Sequence, residues 1–144
     1  MRAAAEIVVD RPPAAVWEWA SDPGHWHEWQ EGVTDVSADG ARFTSSYAYG
    51  PHSGSAVYEI VERTPPRRQV VRSVSGPFRF EGTLELSPDV GGTRVRQTVV
   101  TGPEDALARF VFAVAAPLVR RSIRRGIARQ LERLKTMVEL EAVL

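Results

Sequence analysis

The chain has no cysteine. That removes disulfides, thiolate metal sites and a cysteine nucleophile. It has no excess of either charge, since Lys and Arg total 18 and Asp and Glu total 18. No global field therefore favours nucleic acid, and none is expected as a partner. Lys135 is the only lysine among many arginines, which reads as codon bias rather than chemistry. No apolar run approaches the roughly 20 residues of a spanning helix. The start, MRAAAEIVVDRPP, has no long apolar stretch before its proline pair, so no signal peptide is expected. There is no G-x-S-x-G elbow, no H-E-x-x-H, no phosphate-binding glycine loop, no internal repeat and no low-complexity linker. What is left is the expectation of a soluble, cytoplasmic protein with one domain over residues 1–144. A chain of this mass buries about 68% of its unfolded surface, so a real core is available.

The pattern that is present runs strand, helices, strands, helix. Ala3 to Val9 is apolar and β-branched towards its end. DRPPAAVWEWASD follows as a helix with prolines at its entry, broken at Asp22-Pro23-Gly24. GHWHEWQ adds one or two turns, ended by Gly32. From Val33 to Thr101, about six strand-like runs are separated by Asp39-Gly40, Gly50-Pro51, Pro65-Pro66, Gly76-Pro77 and Gly91-Gly92. In FRFEGTLEL, Phe78, Phe80, Gly82, Leu84 and Leu86 share one face, and Arg79, Glu81, Thr83 and Glu85 share the other. The same parity sets Val95, Gln97 and Val99 against Arg94, Arg96 and Thr98, and groups Phe43, Ser45, Tyr47 and Tyr49. Such strands, wet on one face and apolar on the other, predict an antiparallel meander. Pro117 divides a helical ending. Before it, ALARFVFAVAA is apolar nearly all round. After it, Ile123, Ile127, Leu131, Leu134 and Val138 make one stripe. That helix, about 39 Å long, outreaches a nine-residue strand of about 30 Å. The fold class is therefore α+β, with a sheet whose concave face needs a cover.

The segment DPGHWHEWQEG holds two of the four tryptophans and two of the three histidines. His25 and His27 are two apart and diverge on a helix, with no third histidine nearby; zinc takes three or four ligands. No metal site is predicted. Trp26 and Trp29, three apart, share a helical face and read as a plug in the open end of the sheet, as pocket lining, or as both.

IVVDRPPAAVWEWASDPGHWHEW, YEIVERTPPRRQVVR, GGTRVRQ and PLVRRSIRRGIARQLERLKTMVE stand in an order and spacing that resemble the START-like, or SRPBCC, helix-grip superfamily, in its polyketide cyclase/dehydrase-type branch. The resemblance spans nearly the whole chain. It implies a curved antiparallel sheet of about seven strands wrapped around a long C-terminal helix, two short helices after the first strand, and a cavity between sheet and helix. Members bind lipids, sterols, polyketides, quinones or hormones; some are cyclases or dehydratases. The superfamily has no universal catalytic motif, so none is carried over, and no cofactor is implied.

The expected function is binding of a small hydrophobic molecule, by a carrier or binder. The alternatives are a cyclase or dehydratase using the same cavity, and an interaction protein whose cavity is vestigial. Candidate lining residues are Trp26, Trp29, Tyr47, Tyr49, Tyr58, Arg72, Phe78, Phe80 and Gln97, with strand parity left open at Tyr58 and Arg72. Gly82 marks either a bulge or room for another group. His52, in a predicted loop, is the candidate general base, with Tyr47 or Tyr49 as donors. Glu59 and Glu62 are expected to face water or pair with arginines of the next strand. Arg120, Arg121, Arg124 and Arg125 follow the apolar FVFAVAAPLV. That pairing reads either as contact with an anionic membrane surface or as a solvated helix face with its apolar part buried on the sheet. Oligomeric state is not readable.

Overall fold

Seven strands form one antiparallel sheet, ordered β1-β7-β6-β5-β4-β3-β2. A computed structural model describes residues 1–30, 33–49, 52–75, 78–103, 110 and 113–143; at 34, 35, 38, 39, 47–49, 52, 78 and 103 it describes the backbone alone. β1 (Arg2–Val9) leads into α1 (Pro13–Ala20), a 3-10 turn (Pro23–His25) and α2 (Trp26–Trp29). Then come β2 (Val33–Asp39), β3 (Arg42–Tyr49), β4 (His52–Thr64), β5 (Arg68–Ser75), β6 (Phe78–Asp89) and β7 (Gly92–Pro103). The last helix, α3, is Ala116–Glu141. Pro13 opens α1 because its missing N–H is not needed there. The Asp22 carboxylate accepts from the Gly24 N–H and starts the second helical segment.

The curved sheet and the long C-terminal helix are as the residue pattern predicts. The β6–β7 register runs without a shift from Phe78↔Pro103 to Asp89↔Gly92, so no bulge occurs at Gly82. The bulges lie elsewhere, in β2–β3 near Val33/Asp35 and in β4–β5 at Val57/Tyr58 and Ile60/Glu62. α3 packs chiefly along β1, with further contacts to β7, α1 and α2. Its stripe of Ile127, Leu131, Leu134 and Val138 is buried against Val9, Val16, Leu84, Leu86 and Val95. Ile123, one turn earlier, is only half-buried.

The outer face carries an ion-pair lattice. Arg94 and Arg96 hold Glu6, Arg94 also holds Asp89, Arg68 lies between Glu62 and Glu85, and Arg42 meets Glu59. Hydrogen bonds from Arg96 and then Arg94 hold the Glu6 carboxyl below its ordinary range. These groups are solvated, so the lattice orders the surface more than it stabilises the fold.

Polar ties fix α3 to β1. Lys135 Nζ donates to the Val8 carbonyl at 3.0 Å, and Arg11 Nη1 donates to the Val138 carbonyl at 3.2 Å. Glu139 accepts from Lys135 at 2.5 Å and from the Asp10 N–H at 2.9 Å. Lys135 first, then the Asp10 amide, lower the Glu139 carboxyl below its ordinary 4.5. A depressed carboxylate stabilises above its unfolded value and loses that contribution as pH falls through the folded value. Glu139→Gln is therefore expected to cost about 1 kcal/mol at neutral pH. The difference should close in acid below the folded value. Urea melts of both proteins at the two pH values check this, and a gap that persists in acid contradicts it.

Candidate functional site

The concave face is sealed at one end and half-open at the other. At the sealed end Val9, Gln69, Leu86, Thr93, Val95, Leu134 and Val138 are all buried. At the other end Ser73, Phe80, Gln97, Val99, Thr101 and Ile123 are half-exposed. Lys135 sits over Val8, and α3 runs back from there towards the first residues of β1. β1 starts beside Val99 and Val100, and Phe80 pairs with Thr101. The open end is thus bounded by β5, β6, β7 and the first turns of α3. A cleft of about 430 Å³ near this end lies largely on the outer side of the sheet, walled by Arg72, Val74, Arg79, Glu81 and Val100 as well as by Phe80 and Thr101.

Four aromatic side chains cross this face in sequence. Trp26 meets Phe43 edge-on with centroids 4.8 Å apart, Phe43 stacks on Tyr58 at 5.4 Å, and Tyr58 meets Phe80 edge-on at 5.7 Å. Such pairs add about 0.5–1.5 kcal/mol each beyond their area. The strand register makes the row: Phe43 pairs with Tyr58, and Tyr58 with Ser73. Tyr58 therefore joins the concave face. Gly82 makes room in the row. A Cβ there would lie 3.1 Å from the Phe80 ring and 3.2 Å from Gln97 Nε2. The absent side chain lets the ring and the amide lie over the strand.

The tryptophan turn closes the sealed side. Trp26 and Trp29 are both buried, and Trp26 Nε1 donates to the Ala20 carbonyl at 3.0 Å. Trp29 Nε1 is buried without a hydrogen-bond partner among the described residues. His25 stacks on Trp19 at 4.2 Å, and its Nδ1 lies 3.1 Å from Glu28 Oε2. Trp19 in turn donates to Glu141, tying α1 to the end of α3. Among the described residues no three His, Asp or Glu side chains gather to hold a metal.

Arg72 does not line the concave face. It pairs with Glu81 in the β5–β6 register, on the outer side, and its Nε lies 3.5 Å from the Glu81 carboxylate. The β4–β5 bulges and the consecutive burial of Gln69, Val70 and Val71 erase the alternation that would have revealed this. His52 is not in a loop. It opens β4 and pairs with Tyr49, while Tyr47 pairs with Gly54. The side chains of His52, Tyr47, Tyr49 and Phe78 lie outside the described residues. The structure thus brings Trp26, Tyr58, Phe80 and Gln97 to one face, with Trp29 buried at its sealed end.

Sequence reasoning missed Gln69. It is 2% exposed, and its Nε2 donates to the Ser21 carbonyl at 3.1 Å while its Oε1 has no partner among the described residues. It stands across from Leu84 in the register, as Gln97 does on the other side. The parity of Leu84 was the available signal. Ser73 was also missed; its Oγ accepts from the Phe80 N–H at 3.0 Å and fixes the rim.

The chain is similar to TTHA0849 from Thermus thermophilus, with TM-score 0.78 and 22% identity over 98% of this chain and 99% of that one. It is similar to DR_A0006 from Deinococcus radiodurans, with TM-score 0.74 and 18% identity over 98% of each chain. It is also similar to StfQ, described as the di-domain ARO/CYC of the steffimycin biosynthetic pathway, with TM-score 0.80 and 12% identity over 99% of this chain and 52% of that one. No curated protein matches. The model of one family, described as polyketide cyclase / dehydrase and lipid transport, matches residues 1–139. The chain belongs to the polyketide cyclase/dehydrase and lipid transport family.

Proposed function

We propose that the protein binds a small apolar molecule between the concave face and α3, as a carrier or binder. The observation that carries this is the aromatic row Trp26–Phe43–Tyr58–Phe80, which is packed at one end and half-exposed at the other. A row serving the core alone would be covered along its length. Apolar walls supply most of the affinity for such a molecule, and one or two polar groups orient it. Gln97, with its amide over Gly82, is one such group. Half-exposed apolar surface at Tyr58, Phe80, Val99 and Ile123 is what a bound molecule would remove from water, at about 25 cal/mol per Å².

Val99 is half-buried, packs on the core and pairs with Gly82. Val99→Phe is expected to fill the open half. Native mass spectrometry of freshly purified protein should show an apolar adduct. Binding of a fluorescent fatty acid should weaken at least tenfold in Val99→Phe, with the fold intact by circular dichroism. Bare protein mass together with no uptake of the fatty acid by wild type would remove the reading.

A second reading, turnover of a polyketide-like substrate in the same place, draws on StfQ's description as an ARO/CYC and on the pairing of His52 with Tyr49. His52 would act as base and a tyrosine as donor to the enolate oxygen. Turnover unchanged in His52→Ala would remove that assignment.

A further inference from the structure

The end of the molecule that carries the open rim also carries an exposed apolar surface. Phe110, Val114 and Leu118 are 67%, 72% and 74% exposed. The apolar stretch before and around Pro117 is therefore not buried against the sheet at these positions. One turn further on, Arg120, Arg121, Arg124 and Arg125 are all exposed. Leu118, Arg121 and Arg125 share a helical face by their three- and four-residue spacing.

The charges beside these apolar residues are set apart by their clustering, since Arg2, Arg67, Arg79 and Arg133 also lack an ion-pair partner among the described residues but stand apart from one another in the sequence. On the outer face of the sheet Arg42, Arg68, Arg72, Arg94 and Arg96 each meet a carboxylate. Among the described residues, Arg120, Arg121, Arg124 and Arg125 have no ion-pair partner. A chain of formal net charge zero thus gathers positive charge at one place, next to exposed Phe, Val and Leu.

We infer that this surface docks on an anionic phospholipid bilayer. Phe110, Val114 and Leu118 enter the interface, and Arg120, Arg121, Arg124 and Arg125 meet the phosphates. The chemistry is complementary on both counts. Apolar side chains gain by leaving water at the acyl boundary, and guanidinium forks bind phosphate oxygens while their stems stay in the apolar layer. No helix among the described residues is long and apolar enough to cross a membrane, so the contact is peripheral. A second copy of the chain fits less well. Three side chains fall far short of the ~800 Å² per partner that a stable dimer buries. Four arginines at the edge of a two-fold contact would also repel their counterparts. The inference stands on this surface and not on the occupancy of the concave face, although docking here sets the open rim at the bilayer.

Co-sedimentation of the full chain with two kinds of vesicle tests it. One is phosphatidylcholine alone; the other is phosphatidylcholine and phosphatidylglycerol in equal parts. Wild type is expected to bind the anionic vesicles, to release in high salt, and to bind neutral vesicles at least tenfold more weakly. A variant with Arg120→Gln, Arg121→Gln, Arg124→Gln and Arg125→Gln should lose at least tenfold in affinity for the anionic vesicles, as should Val114→Ser with Leu118→Ser. All six positions are exposed, and circular dichroism confirms the helix in each variant. Equal binding by wild type and both variants, or no binding by wild type, overturns the inference. So does a concentration-dependent dimer in sedimentation velocity that Val114→Ser with Leu118→Ser abolishes, since the face would then belong to a second copy. Native mass spectrometry of the arginine variant keeps the two readings apart, because an apolar adduct that persists leaves the concave site standing whatever the vesicles show.

Discussion

Gly92→Ala is expected to destabilise the protein by about 3 kcal/mol or more, the upper range for forcing atoms into a packed site. A Cβ at Gly92 would sit 2.0 Å from the Val9 carbonyl oxygen, 3.0 Å from the Val9 carbonyl carbon and 3.1 Å from the Asp10 Cα. All three are backbone atoms, so no side chain can swing aside. The end of β1 would have to move, and that end is where the molecule is pinned. Val9 pairs with Thr93, Thr93 Oγ1 donates to the Arg11 carbonyl at 2.7 Å, and the Asp10 amide donates to Glu139. Shifting β1 there loosens the entry to α1 and the seat of α3 together. At this chain length the cost corresponds to roughly 10 °C in Tm. Gly91→Ala is the control. Its φ of +78° carries a penalty of about 1–2 kcal/mol for a side chain, but nothing lies within 4 Å of the new atom. Thermal melts of the two variants should rank Gly92→Ala well below Gly91→Ala. Equal melting points would mean that β1 does not approach Gly92 this closely.

Where the sequence alternates, the structure follows it. β6 reads Phe80, Gly82, Leu84, Leu86 inward and Arg79, Glu81, Thr83, Glu85 outward, and its unbroken register with β7 carries Gln97 to the same face. α3 was legible for the same reason, because Ile127, Leu131, Leu134 and Val138 keep a single stripe. Tyr58 and Arg72 lie beside the β4–β5 bulges, where one inserted residue reverses parity, and a bulge leaves no mark that propensity can read. Sequence alone leaves the parity of both open; register brings Tyr58 in and turns Arg72 out to Glu81. The glycine of β6 was visible as an anomaly, but the choice between a bulge and a vacated space needed the positions of Phe80 and Gln97. The apolar run ahead of Pro117 was visible too. Its exposure was not, because hydrophobicity says that a segment prefers to leave water and not what will cover it.

Trp29→Ala should be the most damaging single change at the sealed end, at about 3–5 kcal/mol. Trp29 is 2% exposed and packs in the cluster that contains Leu131 and Leu134. Milder substitutions separate packing from hydrogen bonding. Trp26 and Trp29 share a residue type and a helix but not a chemical state. The Trp26 indole N–H bonds the Ala20 carbonyl at the end of α1, and the Trp29 N–H is buried with no partner among the described residues. Trp26→Phe removes a donor and strands that carbonyl, which costs about 1–3 kcal/mol beyond the lost ring area. Trp29→Phe removes a donor that was already costing its desolvation, so the relief offsets the lost area and the net change stays within about 1 kcal/mol. Urea unfolding should therefore rank the three as Trp29→Ala worst, Trp26→Phe intermediate and Trp29→Phe nearly neutral. Trp29→Phe proving more harmful than Trp26→Phe would mean that the Trp29 N–H has a partner in solution. A water or ligand atom would then reach the sealed end of the concave face, and that end would have to be counted as part of the site.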